Sequence, residues 1–257
     1  MAEPRNYRSQ IGAAPADMSI DQGLRAYMLR VYNYMMIAMV ITGVAALGVV
    51  MMATTNDPSA AAATLRNGKM LTEFGVLLYT SPLKWVVMFA PLALVFFMNF
   101  RVDRMSFATA QGTFWLFSVL IGISMSSIFL IFTSQSITQT FFVTAAAFGA
   151  LSLYGYTTKR DLTAMGSFLI MGLFGLILAI VVNLFLQSSA LSFAISALGV
   201  LIFAGLTAYD TQNIKEMYYE LDNSEVMGKK AIMGALTLYL DFVNMFQFLL
   251  SFLGNRE

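Results

Sequence analysis

The sequence has no cysteine and no histidine in 257 residues, and only 11% of its residues are charged. The missing cysteines exclude disulfides, thiol nucleophiles and haem attachment, and the missing histidines exclude every histidine-based catalytic triad. Soluble domains carry about 25% charged residues, so this chain has too little charge to cover a soluble surface. The net charge of +1 indicates no nucleic-acid partner.

Hydrophobic residues, in contrast, make up 58% of the chain and are gathered into long runs. A membrane-spanning helix needs about 20 mostly apolar residues. Seven segments meet or approach this length, and we predict that the protein is an all-α integral membrane protein with seven transmembrane helices. The predicted spans are residues 32–52, 84–100, 107–132, 139–157, 164–186, 190–209 and 231–253.

The segments outside the spans are short, with two exceptions. Residues 1–18 hold two of the five prolines and show no apolar periodicity, so we predict a disordered cytoplasmic tail before one transmembrane domain, residues 19–257. Residues 19–30 have apolar positions at helical spacing, which indicates either an interfacial helix or an extension of the first span. The long loop 53–83 contains an apolar piece, residues 70–79, that is too short to span.

The distribution of lysine and arginine predicts the orientation of the spans. Basic residues concentrate on the cytoplasmic side of membrane proteins. With the N-terminus inside and seven spans, 11 basic residues lie inside and four lie outside. We therefore predict a cytoplasmic N-terminus and an outside C-terminus. The competing topology has six spans and a re-entrant seventh segment, because Asp241, Asn244 and Gln247 interrupt the last apolar run.

Two of the 14 acidic residues stand apart, because the other 12 lie in tails, loops or span ends that face water. Asp241 lies ten residues into the seventh span, roughly 15 Å into the membrane at 1.5 Å per residue. Asp210 lies at the cytoplasmic end of the sixth span. A carboxylate at the bilayer centre costs at least about 2.5–3.5 kcal/mol on insertion scales, so both residues are candidates for a functional site.

The seventh span carries its polar residues in one helical stripe. The stripe consists of Gly234, Thr237, Asp241, Asn244, Gln247 and Ser251. Such a helix should not face lipid, so we predict that it lies centrally with the other six around it. Thr237, Asn244, Gln247 and Thr207 of the sixth span are candidates to line a water-accessible path. The alternative is a polar seam that only joins helices by hydrogen bonds.

Four short stretches resemble the Bax inhibitor-1 family of transmembrane proteins. The first two are YDTQNIK at residues 209–215 and LYLDFVN at residues 238–244. GYTTKRDL at residues 155–162 and SSIF at residues 126–129 resemble the bacterial members in particular. The resemblance covers roughly residues 24–254. It implies seven spans around a central seventh helix and a place in the bacterial inner membrane.

The resemblance also implies a function and the residues that perform it. Family members are associated with a proton-regulated calcium leak and, in eukaryotes, with suppression of cell death. Asp210 and Asp241 would then form a pH-sensitive pair, with Arg104 or Arg101 as the latch that holds the closed state. Calcium would be the permeant ion and a transient ligand of the two aspartates. No cofactor is implied. The implied partners are the lipid bilayer, Ca²⁺ and H⁺, with a second membrane protein as the alternative.

The residues are consistent with such a gate. Two nearby carboxylates resist simultaneous ionisation, and a shared proton lets them form a short hydrogen bond. Full ionisation adds repulsion and offers hard oxygen ligands that suit Ca²⁺. An intramembrane aspartyl protease also uses two aspartates, but residues 238–240 are Leu-Tyr-Leu where that class needs Gly-x-Gly, so we expect no enzyme. A regulator that binds a membrane protease or a cell-death factor, without transport, is the remaining alternative.

Overall fold

The computed structural model describes residues 14–255, with side chains from Gln22 onward, and this part of the chain is mainly helical. The helices are α1 Ala14–Ala53, α2 Glu73–Tyr79, α3 Leu83–Arg101, α4 Phe107–Met125, α5 Ile128–Ile131, α6 Ser134–Thr157, α7 Thr163–Leu186, α8 Ser189–Glu216 and α9 Ser224–Leu253. Seven helical segments are long and apolar enough to cross a membrane, with α4 and α5 forming one of them. The predicted fold class and all seven predicted spans are confirmed.

The first helix is longer than its predicted span. α1 has 40 residues, or about 60 Å at 1.5 Å per residue, against a hydrocarbon core of about 30 Å. The segment at residues 19–30 is therefore a continuation of the first span and not a separate interfacial helix. Of the tail predicted at residues 1–18, residues 14–18 belong to α1, and the remainder lies outside the described residues.

The last helix is the centre of the bundle, as predicted. α9 is one continuous helix of 30 residues, so the re-entrant alternative is wrong. It packs directly against α1, α4, α6 and α8, while α3 packs against α4 and α7 packs against α8 from outside. Only four of the six other spans therefore surround α9 closely. Side chains on opposite faces of α9 are buried, since Leu236 and Leu238 lie about 200° apart around the helix and both are almost completely buried.

The long first loop contains a small sheet that the sequence analysis missed. Its strands are β1 Thr54–Thr55, β2 Ala63–Thr64 and β3 Met70–Leu71, and β3 pairs antiparallel with both others. Strands of two residues are too short to produce a pattern of alternating polarity. The apolar piece at residues 70–79 is split between β3 and α2, whose N-cap Thr72 accepts a hydrogen bond from Gly75 N.

Glycines permit two close helix crossings in the bundle. A Cβ atom at Gly155 in α6 would overlap the backbone carbonyl of Ala208 in α8. A Cβ atom at Gly122 in α4 would likewise overlap the carbonyl of Thr42 in α1. Small residues at helix contacts let backbones approach closely in membranes. The crossing at Gly155 holds α6 against the part of α8 that carries Asp210.

Candidate functional site

Two aspartates meet where α8 and α9 pack against each other. Asp210 lies near the C-terminal end of α8, and Asp241 lies about midway along α9. Their carboxyl groups lie close enough to interact with each other, and both line the same cavity. Ionised carboxylates are acceptors only, so a hydrogen bond between the two groups would require a proton on one of them. The structure therefore brings together the two acidic residues that the sequence singled out.

The pair is enclosed unevenly. Asp241 is only 4% exposed, whereas Asp210 is partly buried. The Asp241 Oδ2 atom is buried and has no hydrogen-bond partner among the described residues. Leaving a buried acceptor unsatisfied costs about 1–3 kcal/mol or more. The second oxygen of Asp241 is therefore a place where a proton, a water molecule or a cation would be favoured.

A cavity of about 450 Å³ adjoins the pair between α7, α8 and α9. Asp210, Asp241, Thr237 and Asn244 form its polar lining, and Ile170, Leu173 and Phe248 are among its apolar residues. Thr237 Oγ1 donates to Met233 O (3.1 Å), and Asn244 Nδ2 donates to Leu240 O (2.8 Å). These bonds within α9 use the hydroxyl donor of Thr237 and one of the two N–H donors of Asn244, and the side-chain oxygen atoms of both residues remain able to accept from a molecule in the cavity.

Thr207 and Gln247 do not join this cavity. Thr207 is fully buried and donates to Phe203 O at 2.7 Å. Gln247 lines a separate cavity of about 510 Å³ with residues of α2, α3 and α4. The reason is the helical period, because each three-residue step falls about 60° short of a full turn. Two such steps, from Asp241 to Asn244 and on to Gln247, turn the side chain about 120° away from Asp241.

Comparison with known proteins gives the family. The family described as "Inhibitor of apoptosis-promoting Bax1" matches residues 24–257. The chain belongs to this Bax inhibitor-1 family. It is 48% identical over 254 residues to the protein RP147 of Rickettsia prowazekii, covering 98% of this chain and 99% of that protein.

Two further relatives in the Bax inhibitor-1 family cover nearly the whole chain. A protein of Caulobacter vibrioides is 48% identical over 255 residues, which are 98% of each chain. The inner membrane protein YbhL of Escherichia coli K12 is 41% identical over 237 residues, which are 91% of this chain and 94% of that protein. With its seven apolar helices, the chain is a multi-pass membrane protein of this family.

The two arginines proposed as the latch of a Bax inhibitor-1 gate lie at the corner between α3 and α4. Arg101 ends α3, Arg104 lies in the following turn, and both are exposed. Within residues 22–255, neither guanidinium forms an ion pair with Asp210 in this structure. Instead, Lys229 of α9 reaches the corner and donates to Asp103 O (3.4 Å) and Met105 O (3.3 Å). An ion pair between Arg101 or Arg104 and Asp210 therefore stays a prediction for a conformation other than this one.

Lysines near the end of α8 and the start of α9 make contacts between helix ends that the sequence analysis missed. Lys215 Nζ donates to Tyr156 O at 2.9 Å, which ties the end of α8 to the end of α6. Lys230 forms a salt bridge with Asp222 and also donates to Met217 O. In the sequence analysis these lysines counted only as basic residues on the cytoplasmic side. Their spacing in the sequence does not identify the carbonyl group that each one contacts.

Two hydroxyl networks fix the helices around the pair, and they too were missed. Tyr239 Oη lies 2.6 Å from Thr42 Oγ1, which donates to Ser118 O at 2.9 Å, so this network joins α9, α1 and α4. Tyr32 Oη lies 2.6 Å from Ser152 Oγ, which lies 2.9 Å from Thr211 Oγ1. A tyrosine inside an apolar span needs a hydrogen-bond partner for its hydroxyl. The presence of Tyr32 and Tyr239 in predicted spans could therefore have indicated such networks.

The site includes few acidic ligands. Among residues 22–255, no group of three or more acidic side chains is placed to hold a metal ion. Asp210 and Asp241 are the two acidic side chains that line the cavity next to α7.

Tyr79 lies outside the spans, beside the cavity that Gln247 lines. Burial raises the pKa of Tyr79, and its hydroxyl lies 2.8 Å from Ser126 Oγ.

Proposed function

We propose that this protein is a calcium leak pathway whose opening is controlled by the protonation of Asp210 and Asp241. The observation that supports this best is the position of the two carboxyl groups, which lie within reach of each other on neighbouring spanning helices and line one cavity. In this proposal the protein is a channel or transporter, not an enzyme, and it needs no cofactor. Asp210 and Asp241 are transient Ca²⁺ ligands.

The proposed gate uses one shared proton. With a proton on the pair, the hydrogen bond clamps α8 to α9 and the path is closed. As pH rises and the pair ionises fully, the bond is lost and the two charges repel each other. The leak therefore rises with pH through this transition. The freed carboxylate oxygens then match the oxygen ligands that Ca²⁺ prefers, and Thr237 and Asn244 add further oxygen atoms in the cavity.

The test is calcium flux through the purified full-length protein in liposomes that contain a Ca²⁺ reporter, measured over a range of pH. A pH-dependent flux above that of protein-free liposomes is the expected result. The description of the family as an inhibitor of a cell-death protein favours a second candidate, a regulator that binds another membrane protein without transport. Absence of flux at every pH would exclude the channel and leave the regulator.

We further propose that the protein lies in the bacterial inner membrane with its N-terminus in the cytoplasm. The named inner membrane relative YbhL and the excess of basic residues on one side support this placement. A reporter that is active only in the cytoplasm should be silent when fused after Glu257. The same reporter inserted in the loop between α8 and α9 should be active. An active reporter after Glu257 would contradict the proposed orientation.

The latch gives a separate prediction. If an arginine at the α3–α4 corner pairs with the remaining charge of the closed pair, Arg104→Ala or Arg101→Ala should raise the leak at neutral pH. An exposed ion pair contributes about 1 kcal/mol or less, so the increase should be at most about fivefold. Arg66→Ala, which removes an exposed arginine in the first loop, is the control and should change little. Unchanged flux in both single variants and in their double variant would remove the latch from the mechanism.

A further inference from the structure

A long groove opens toward the surrounding lipid between α1 and α6. Both helices pack against α9, and Phe242 of α9 lines the groove between them. The volume is about 710 Å³. At the rim, Leu29, Met36 and Leu153 have exposed fractions of 52%, 56% and 63%. The groove is therefore accessible from the bilayer.

Apolar side chains form almost all of this groove. Four methionines of α1 line it, namely Met28, Met35, Met36 and Met39. Methionine side chains are flexible and adapt their shape to irregular apolar partners. The hydroxyls of Tyr32 and Ser152 are 2.6 Å apart and satisfy each other. The middle of the groove therefore has no unsatisfied hydroxyl that would require a polar ligand group, and it suits a flexible hydrocarbon chain.

One end of the groove is basic. Arg25 lines this end together with Tyr156. Lys215 lies behind Tyr156, with its Nζ atom 5.6 Å from the centre of the aromatic ring. No acidic residue is among those that line the groove. A ligand that fits this charge distribution has an anionic group at one end and an apolar chain behind it.

The length of the groove matches one leaflet of a bilayer. Its α1 wall runs from Arg25 to Met39, a separation of 14 helical steps or about 21 Å at 1.5 Å per residue. Half of a bilayer, with its headgroups, is about 20–22 Å thick. A lipid with its headgroup at Arg25 would therefore place its chain tip near Met39.

We propose that the groove between α1 and α6 binds one anionic phospholipid, with its phosphate at Arg25 and one acyl chain against Phe242 and the methionines. Such a lipid would contact α9 directly and would be linked to α8 through α6. Phe242 follows Asp241 in α9, and Ser152 is hydrogen-bonded to Thr211, which follows Asp210 in α8. The binding itself does not depend on the proposed calcium leak, so either proposal can fail alone.

The absence of cysteine allows a direct test with a single fluorescent label. Leu153→Cys places the label at the groove rim. Phe168→Cys is the matched control, because it lies on α7 at a similar distance from its helix end and is 68% exposed. Each labelled full-length protein is reconstituted with phosphatidylglycerol or phosphatidylcholine carrying brominated chains, which quench the label on contact.

At the groove label, brominated phosphatidylglycerol should reach half-maximal quenching at a concentration about fivefold lower than brominated phosphatidylcholine. This is about the preference for an anionic lipid that one basic residue confers. At the control label, the two lipids should act alike. Arg25→Gln should abolish the preference, and Arg30→Gln should keep it. Gly149→Leu should fill the groove and lower quenching by both lipids, because open space surrounds a Cβ atom there. Gly175→Leu on α7, also in open space, should not.

Three results would overturn the proposal. The first is equal quenching by both lipids at the groove label. The second is a preference that survives Arg25→Gln, since this would reflect the general charge of the surface. The third is a groove label that neither lipid quenches, which would mean that another occupant, such as a segment of the chain itself, fills the groove. Wild-type circular dichroism and elution volume of each variant ensure that these results come from folded protein.

Discussion

Calcium flux through the Asp241→Asn variant is expected to lose its pH dependence. In the wild type, a gate that opens on loss of one shared proton changes its flux by up to about tenfold per pH unit. Asparagine at position 241 keeps the shape of aspartate, and its amide donates a hydrogen bond to Asp210 at any pH. The clamp between α8 and α9 then persists without a proton, so the flux should be flat and low.

Asp210→Asn should give the same flat profile, because the remaining carboxylate accepts a hydrogen bond from the new amide. Asp222→Asn is the matched control, since Asp222 pairs with Lys230 outside the aspartate pair. It removes the same charge from the loop between α8 and α9 and should keep the wild-type pH response. A pH response that is lost equally in Asp222→Asn would show that a general effect of charge, not the pair, sets the profile.

Gly155→Ala is expected to destabilise the protein, and to do so more than Gly149→Ala in the same helix. A Cβ atom at this position would overlap the backbone carbonyl of Ala208, and backbone cannot move aside as a flexible side chain can. Overpacking of this kind costs about 1–3 kcal/mol. The crossing of α6 and α8 should open, and the midpoint of thermal unfolding in detergent should fall.

Gly149→Ala is the control for that experiment, because it lies on the same helix and nothing lies within 4 Å of its Cβ position. Alanine favours a helix over glycine by about 1 kcal/mol, so this variant should be neutral or slightly more stable. The two variants share this gain, and their difference isolates the contact with Ala208. Equal unfolding midpoints would mean that α6 and α8 are not closely packed at Gly155.

The spans and the aspartate pair were predictable because both depend on the cost of polarity in a bilayer. A run of about 20 apolar residues has few alternatives to a spanning helix, and all seven were recognised. Asp241 stood out because a carboxylate at that depth needs a partner. The central position of α9 followed from its polar stripe, although α3 and α7 do not pack against it directly.

Other features depend on angles and contacts that the sequence does not reveal. Gln247 belongs to the polar stripe in sequence, but successive three-residue steps rotate it toward α3 and α4. Thr207 lies three residues before Asp210, but its side chain is buried in a contact between helices and does not face the cavity. The lysines at positions 215, 229 and 230 are long and flexible, and only the fold determines which carbonyl each one reaches. The strands of the first loop are too short to leave a pattern.

The most direct test of the account compares the pH profiles of calcium flux for Asp210→Asn, Asp241→Asn and the double variant in the same liposomes. In the proposed gate the two carboxyl groups titrate as one unit, so the effects of the two substitutions should not add. We expect the double variant to be as flat as either single variant, with no further change. A wild-type pH profile in both single variants, or single effects that add in the double variant, would contradict a coupled aspartate gate.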